Sequence, residues 1–249
     1  MSNEPLLSII TVSAFDAERL SKTLQSLIGL PSLVEHVIVI PEDDSESKTL
    51  WKQYEYSGHN RINLVHDKKK GIYGAMNAGA LEANGKYVCF WNAGDKLYNQ
   101  KDLMHLLARL LEQNPKWAIA QGQFEWRTKQ ELSVSNLLGF LTHQPDTFIS
   151  HQTIFVAKNT FMEIGKFNTH YQVAADTDQI TRLFSIEPPI FEDSVVVQVE
   201  TPHFAARNHR RARIEVLIVA LGGLVGAHRK KALRNILRNE IDRIRRKFK

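Results

Sequence analysis

Apolar positions fall along the chain in short dense blocks, with longer stretches of helical period between them. LLSIITV (Leu6–Val12), HVIVI (His36–Ile40), INLVH (Ile62–His66), YVCFW (Tyr87–Trp91) and AIAQG (Ala118–Gly122) are runs of five to seven residues rich in branched and aromatic side chains, as expected of buried strands. Leu20, Leu24, Leu27 and Ile28 recur at helical spacing between the first two, and a helix opens near Ser45 and Glu46 after the second. Ile72–Glu82 reads as a helix, and Leu103, Leu106, Leu107, Leu110 and Leu111 mark an amphipathic one. Strands that are apolar throughout, alternating with such helices, predict an α/β fold with a mostly parallel sheet covered on both faces. Gln123–Thr153 is less regular. TIFVAK (Thr153–Lys158) and VVVQV (Val195–Val199) read as further strands, Asn159–Ile164 and Asp176–Phe184 as helices, and the last forty residues or so as two helices.

Composition narrows the class without naming a chemistry. With 249 residues, 43% apolar, 24% charged and 9% aromatic, the chain is an ordinary globular one, neither collagen-like nor wholly disordered. Its length suits one α/β domain, taken as 1–206, with an appendage, 207–249. A lone cysteine, Cys89, excludes an internal disulfide and points to a reducing compartment. The opening MSNEPLLSII has no basic segment followed by a long apolar stretch, so no secretory leader is expected. The net charge of +5 conceals a division: 14 Lys/Arg and three acids lie between Arg207 and Lys249, giving +11 there and −6 on the remainder. Such a tail seeks an anionic partner.

In open α/β sheets ligands gather at the carboxyl ends of the strands. Glu42, Asp43 and Asp44 follow HVIVI, and Asp95 follows YVCFW. Alone, each reads as a turn residue or helix cap. Converging on one edge, they could hold a divalent cation against a diphosphate.

Three ordered blocks go further. KKGIYGAMNAGALEANGKYVCFWNAGDKL (Lys69–Leu97), HQTIFVAKNTFMEIGKFNTHYQVAADTDQITRL (His151–Leu183) and the opening SIITVSAFDAERLSKTLQSL resemble the inverting glycosyltransferases of family 2, which have the GT-A fold, a Rossmann-like sheet flanked by helices. The resemblance covers roughly residues 6–200. It implies transfer of a sugar from a nucleotide-sugar donor, expected to be UDP-linked, to a hydroxyl of a saccharide acceptor. It also implies Mn2+ or Mg2+ on Asp95 and a general base in Asp176, which would take the acceptor proton. Thr11, Glu42, Asp43, Gly71, Tyr73, Asn77, Asn92, His151, Gln152, Asp178 and Arg182 fall to the donor and substrate side, and His203 is a candidate third metal ligand, with His209 as its alternative. Asp178 and Arg182, four apart on one helix, also read as a plain surface ion pair.

The chain departs from the family at three carboxylates. Pro41 stands where an aspartate binds uracil, and Lys69 and Gly74 replace two acids of the D-K-G-I-Y-D motif. These losses touch donor recognition, and they motivate a degenerate nucleotide-sugar-binding protein as the alternative; a nucleotidyltransferase is the other, but SAFDAER lacks the glycine-rich basic loop it would need. The tail reads independently of the family. IEVLIVALGGLVGAH (Ile214–His228) is too short to span a bilayer as a helix and is interrupted by Glu215 and two glycines. Leu233, Ile236, Leu237, Ile241, Ile244 and Phe248 then form one stripe of a basic amphipathic helix. Contact with an anionic membrane surface is expected, hence a cytoplasmic enzyme on the inner face of the cell membrane, acting on a lipid-linked acceptor in surface-polysaccharide assembly. The competing expectation is packing on the enzyme's own body or on a second copy in a homo-oligomer. Nucleic acid is not expected, because the tail nearly lacks aromatic residues to stack on bases.

Overall fold

The computed structural model describes residues 4–56, 61–67, 71–124, 149–200, 211–212, 214–216 and 218–219. The elements run β1 (Leu7–Val12), α1 (Ala17–Ser26), β2 (Val34–Pro41), α2 (Ser45–Tyr56), β3 (Ile62–Asp67), α3 (Gly71–Glu82), β4 (Tyr87–Asn92), β5 (Lys96–Leu97), α4 (Gln100–Gln113) and β6 (Trp117–Phe124). A single 3-10 turn (His151–Thr153) leads into β7 (Ile154–Ala157), followed by α5 (Lys158–Glu163), α6 (Ala175–Ile186) and β8 (Ile190–Val199).

The strands form one eight-stranded sheet in the order β3-β2-β1-β4-β7-β6-β8-β5. β3, β2, β1 and β4 are parallel neighbours, and β6 and β8 run the same way. β7 is antiparallel to both β4 and β6, and β5 is antiparallel to β8. The sheet is therefore mostly parallel, as its apolar strands suggest, but mixed. The reversal of β7 matters most: its amino end lies at the carboxyl edge of its neighbours, so residues just before it join those that follow the parallel strands.

Both faces are packed. Ile10, Val12, Val37, Val39, Val88 and Phe90 turn to one side, where they meet Met76 and Ala80 of α3 and Ile180 and Leu183 of α6. Leu7, Ile9, Cys89 and Trp91 turn to the other and bury against Leu103, Leu106, Leu107 and Leu110 of α4. Ile38 and Ile40 pack on Leu20 and Leu24 of α1. The period-2 alternation of a strand delivers successive residues to opposite layers.

Boundaries differ from expectation where a polar residue is buried for a reason that composition does not reveal. β2 begins at Val34 because Glu35, 5% exposed, lies inside the structure, accepting from Ser8 Oγ (2.6 Å), the Asn84 amide N–H (2.7 Å) and Asn84 Nδ2 (2.7 Å). β8 begins at Ile190, its first half alternating in burial instead of forming an apolar run. Ile28 and Leu111, read with their helical stripes, are exposed, and Ile28 lies beyond the end of α1. Among the described residues no helix is long and apolar enough to cross a membrane.

α3 lies unusually close to the sheet. A Cβ added at Gly79 would stand 2.5 Å from Ile10 Cγ2 and 2.8 Å from Val39 Cγ2. Gly79→Ala should therefore lower the unfolding free energy by about 1–3 kcal/mol, the overpacking penalty outweighing the better helix propensity of alanine. A denaturant midpoint equal to or above that of the parent would show that the helix can shift away.

Candidate active site

The turn after β4 is closed by its own residues: Asn92 N–H donates to Asp95 Oδ2 (2.8 Å) and Asp95 N–H to the Asn92 carbonyl (3.0 Å). Gly94 sits at φ +103°, and a Cβ there would collide with Glu200 Oε2 at 2.0 Å and Arg19 Nε at 2.8 Å. Only glycine satisfies both the conformation and the space. Asp95 is 1% exposed and collects two further donors, the Glu200 amide N–H on Oδ1 (3.1 Å) and Gln152 Nε2 on Oδ2 (3.3 Å). Burial pushes its carboxyl up to about 6, against the pull of the Asn92 N–H, the nearby His151, the Glu200 N–H and Gln152. One carboxylate thus joins the ends of β4 and β8 and the turn before β7.

A second group lies beside it. Asp176, in the first turn of α6 with its side chain 26% exposed, has its Oδ1 bonded by the Thr177 N–H (2.7 Å) and 3.3 Å from the Tyr73 hydroxyl. Its Oδ2 stands 3.4 Å from His151 Nδ1. Tyr73, buried in the first turns of α3, donates to the Val173 carbonyl (2.7 Å). Burial, then the charge of Asp176, holds its phenol well above its ordinary value, so it stays a hydroxyl. The Tyr73 ring is fixed by Phe167 at 5.4 Å, itself stacked edge-on against Phe90 at 4.8 Å. Among the described residues two buried polar atoms in this region have no hydrogen-bond partner, His151 Nε2 and Asn92 Oδ1. Buried polar atoms are nearly always satisfied, which marks these two as exceptions.

The structure thus brings Asp95, Gln152, His151, Asp176, Tyr73 and Asn92 to the carboxyl edge, on either side of β7. It uses others of the expected residues for the fold. Asn77 brackets the backbone of one residue, Nδ2 donating to the Phe167 carbonyl (2.9 Å) and Oδ1 accepting the Phe167 N–H (3.0 Å). Arg182 does more than pair with Asp178 (2.8 Å): its guanidinium also donates to the carbonyls of Ile164 and, at 2.7 Å, Lys166. It thereby clasps a turn in which Gly165 (φ +90°) and Lys166 (φ +63°) are left-handed. Asp178 and Arg182 are a partly buried clamp, where sequence reading suggested substrate contacts or a plain surface pair. Thr11 is wholly buried and bonded to His36 Nε2 (2.9 Å). Glu42 and Asp43 are exposed at the end of β2, whereas Asp44 is buried, accepting the Ser47 N–H (3.0 Å) at the start of α2 and the Phe15 N–H (2.8 Å). Gly71 opens α3 at φ +77°. His203, His209, Lys69 and the tail stripe from Leu233 lie outside the described residues.

Sequence reading missed Glu200, which pairs with Arg19 and Lys22 of α1 besides meeting Asp95. It directly follows β8, so the strand-end rule that found Asp95 applies to it as well. Among the described residues no three His, Cys, Asp or Glu side chains are grouped to hold a metal; Asn92 Oδ1 is an unpartnered buried oxygen in the same turn as Asp95.

Comparison with known proteins gives this edge its context. The family model described as glycosyl transferase family 2 matches residues 8–168. A PGL/p-HBAD biosynthesis glycosyltransferase of Mycobacterium bovis is 29% identical over 189 residues, 73% of this chain and 70% of that one. Among solved structures, mannosyltransferase PcManGT from Pyrobaculum calidifontis, in complex with GDP-Man and Mn2+, superposes with a TM-score of 0.69 at 16% identity, covering 94% of this chain and 69% of that one. S. aureus TarS 1-349 in complex with UDP-GlcNAc gives 0.67 at 15% identity over 93% and 71%, and this chain spans 42% of the longer TarS chain. The fold is that of the GT-A enzymes, and the chain belongs to glycosyl transferase family 2.

Proposed function

We propose that this glycosyltransferase is an inverting, metal-assisted enzyme that moves a sugar from a nucleotide-sugar donor, with UDP the expected nucleotide, to a saccharide hydroxyl. The observation that carries the reading is the partly exposed Asp176 carboxylate, held by Thr177, Tyr73 and His151 on the same edge as buried Asp95. The acceptor O–H proton passes to Asp176 as that oxygen attacks the anomeric carbon and the bond to the diphosphate breaks. His151 and Tyr73 hold the two carboxylate oxygens in place, and the free His151 Nε2 meets a substrate oxygen. Asp95 and Asn92 would hold Mn2+ or Mg2+, because both offer hard oxygen donors. A cation held there would supply positive charge against the negative charge developing on the departing diphosphate. His203 is retained as a further ligand candidate, Gln152 as the residue that orients Asp95, and Gly71 as the close-approach position at the head of the donor-side helix.

Glu42 and Asp43 are the remaining carboxylates beside Pro41 for the base of the nucleotide. The +11 tail supports a lipid-linked acceptor at an anionic membrane surface, and so does the exposure of Ile214 and Ile218 (61% and 50%) in its described part. Full-length protein should float with anionic vesicles, whereas charge reversal of Arg234, Arg238 and Arg245 should abolish flotation; equal flotation would remove the membrane role.

A calorimetric and hydrolytic screen of UDP- and GDP-sugars, with and without Mn2+, tests the enzyme reading. Asp176→Asn should bind donor as the parent does while transfer falls by about 10²–10⁴-fold. Absence of any nucleotide-sugar binding would overturn the donor assignment, and full transfer by Asp176→Asn would overturn the base.

The raised carboxyl of Asp95 has a defined stability consequence. Its folded value lies above its unfolded one, so its contribution is fully present below about pH 4 and is lost as pH rises through about 6. Without metal, the stability difference between parent and Asp95→Asn should thus shift against the parent by about 2 kcal/mol from pH 4 to pH 7. Saturating Mn2+ should reverse that shift, since it binds the ionised form. A flat difference across this range in metal-free chemical denaturation would mean that Asp95 does not titrate there.

A further inference from the structure

Glu215 interrupts an otherwise apolar tail segment, and the structure gives it a purpose. The described tail residues are helical, and Glu215 is 6% exposed. Its Oε2 accepts the backbone N–H groups of Gln172 (3.0 Å), Val173 (2.8 Å) and Ala174 (3.1 Å). Its Oε1 accepts from Arg211 Nε at 2.9 Å. Against the cost of burial, Arg211 and these three N–H groups hold the carboxyl below its ordinary value. Three consecutive amides aimed at one carboxylate oxygen fix the backbone of the segment that leads into α6, whose own N-cap residue, Ala174, has no side chain to cap with.

That segment touches the proposed chemistry at two points. The Val173 carbonyl is the acceptor of the Tyr73 hydroxyl, and Asp176 lies two residues beyond Ala174. We infer that Glu215 is a positioning residue for Asp176: from the first turns of the tail it sets the 172–174 backbone, and through it the placement of Tyr73 and the carboxylate. The inference rests on Asp176 being the group that takes the acceptor proton. It makes the start of the basic tail a working part of the catalytic unit, separate from any role of residues further on.

The test compares Glu215→Ala, Glu215→Gln, Arg211→Ala and Asp176→Asn in the full-length chain. Readouts are kcat, acceptor and donor KM, calorimetric donor affinity, and amide hydrogen exchange at 171–177. Glu215→Ala should lower kcat by about tenfold to a hundredfold, as expected for a displaced catalytic group, with donor affinity within about twofold of the parent. Exchange at 172–174 should quicken while that of the central strands holds. Glu215→Gln, which keeps one carbonyl oxygen for the amides, should recover part of kcat, and Arg211→Ala, which leaves the three N–H bonds intact, should lose less than Glu215→Ala. In a Tyr73→Phe background Glu215→Ala should cost less than in the parent, because both act through Val173.

Parental kcat in Glu215→Ala, or a loss confined to donor KM, would overturn the positioning role while leaving the enzyme reading intact, provided that Asp176→Asn is inactive. Full transfer by Asp176→Asn would overturn both. If Glu215→Ala does not fold, Glu215→Gln and Arg211→Ala decide: equal kcat losses in the two would reduce Glu215 to one half of an ion pair and overturn the role.

Discussion

A single buried carboxylate holds this edge of the molecule together. Asp95 receives N–H groups from its own turn, from the residue that follows β8 and from the side chain that precedes β7. A hydrogen-bonded buried carboxylate is tolerable only while its partners stay in place, since the loss of any one exposes the full desolvation penalty. The tight Gly94 turn, the reversal of β7 and the Arg19–Glu200 pair all serve to keep those partners there. The same saturation leaves Asp95 few free lone pairs, so a cation would meet a pre-built and rigid ligand.

Asp176 is held differently. Its oxygens are shared among a backbone amide, a phenol and an imidazole, and its side chain is partly open to solvent. Its surroundings are then fastened from outside: Asn77 to Phe167, Arg182 to the 164–166 turn and Glu215 to 172–174. Three separate polar clamps thus surround one partly exposed carboxylate. Each uses a side chain to bind backbone, which fixes loops that no strand pairing can reach.

Much of the sheet was legible because buried parallel strands must be apolar throughout, and Leu7–Val12 and Tyr87–Trp91 are. Asp95 was legible as a carboxylate at a strand end, whereas His151, Gln152 and Asp176 were legible only through their likeness to the family's blocks; the structure gathers all four at one edge. Buried polar side chains were opaque. Asn77 and Arg182 have the composition of ligand-binding residues, yet their partners are backbone atoms up to 90 residues away, which no local pattern encodes. Thr11 sits on a strand whose face is set by His36 across the sheet. Glu215 looked like a flaw in an apolar run, because its partners lie over 40 residues earlier in the chain.

The reversed strand has a kinetic consequence. Asp95 reaches Gln152 across 57 residues and Glu200 across 105, and neither contact exists until β7 and β8 have entered the sheet. Long-range pairings of this kind close late, because the entropy of the intervening loops opposes them. During refolding, the β1–β4 half can assemble with the turns at its carboxyl edge while that edge is still open on one flank. Recovery of ligand affinity will thus lag behind recovery of strand content, and a chain arrested between the two would be folded to most spectroscopic probes and blind to its substrate.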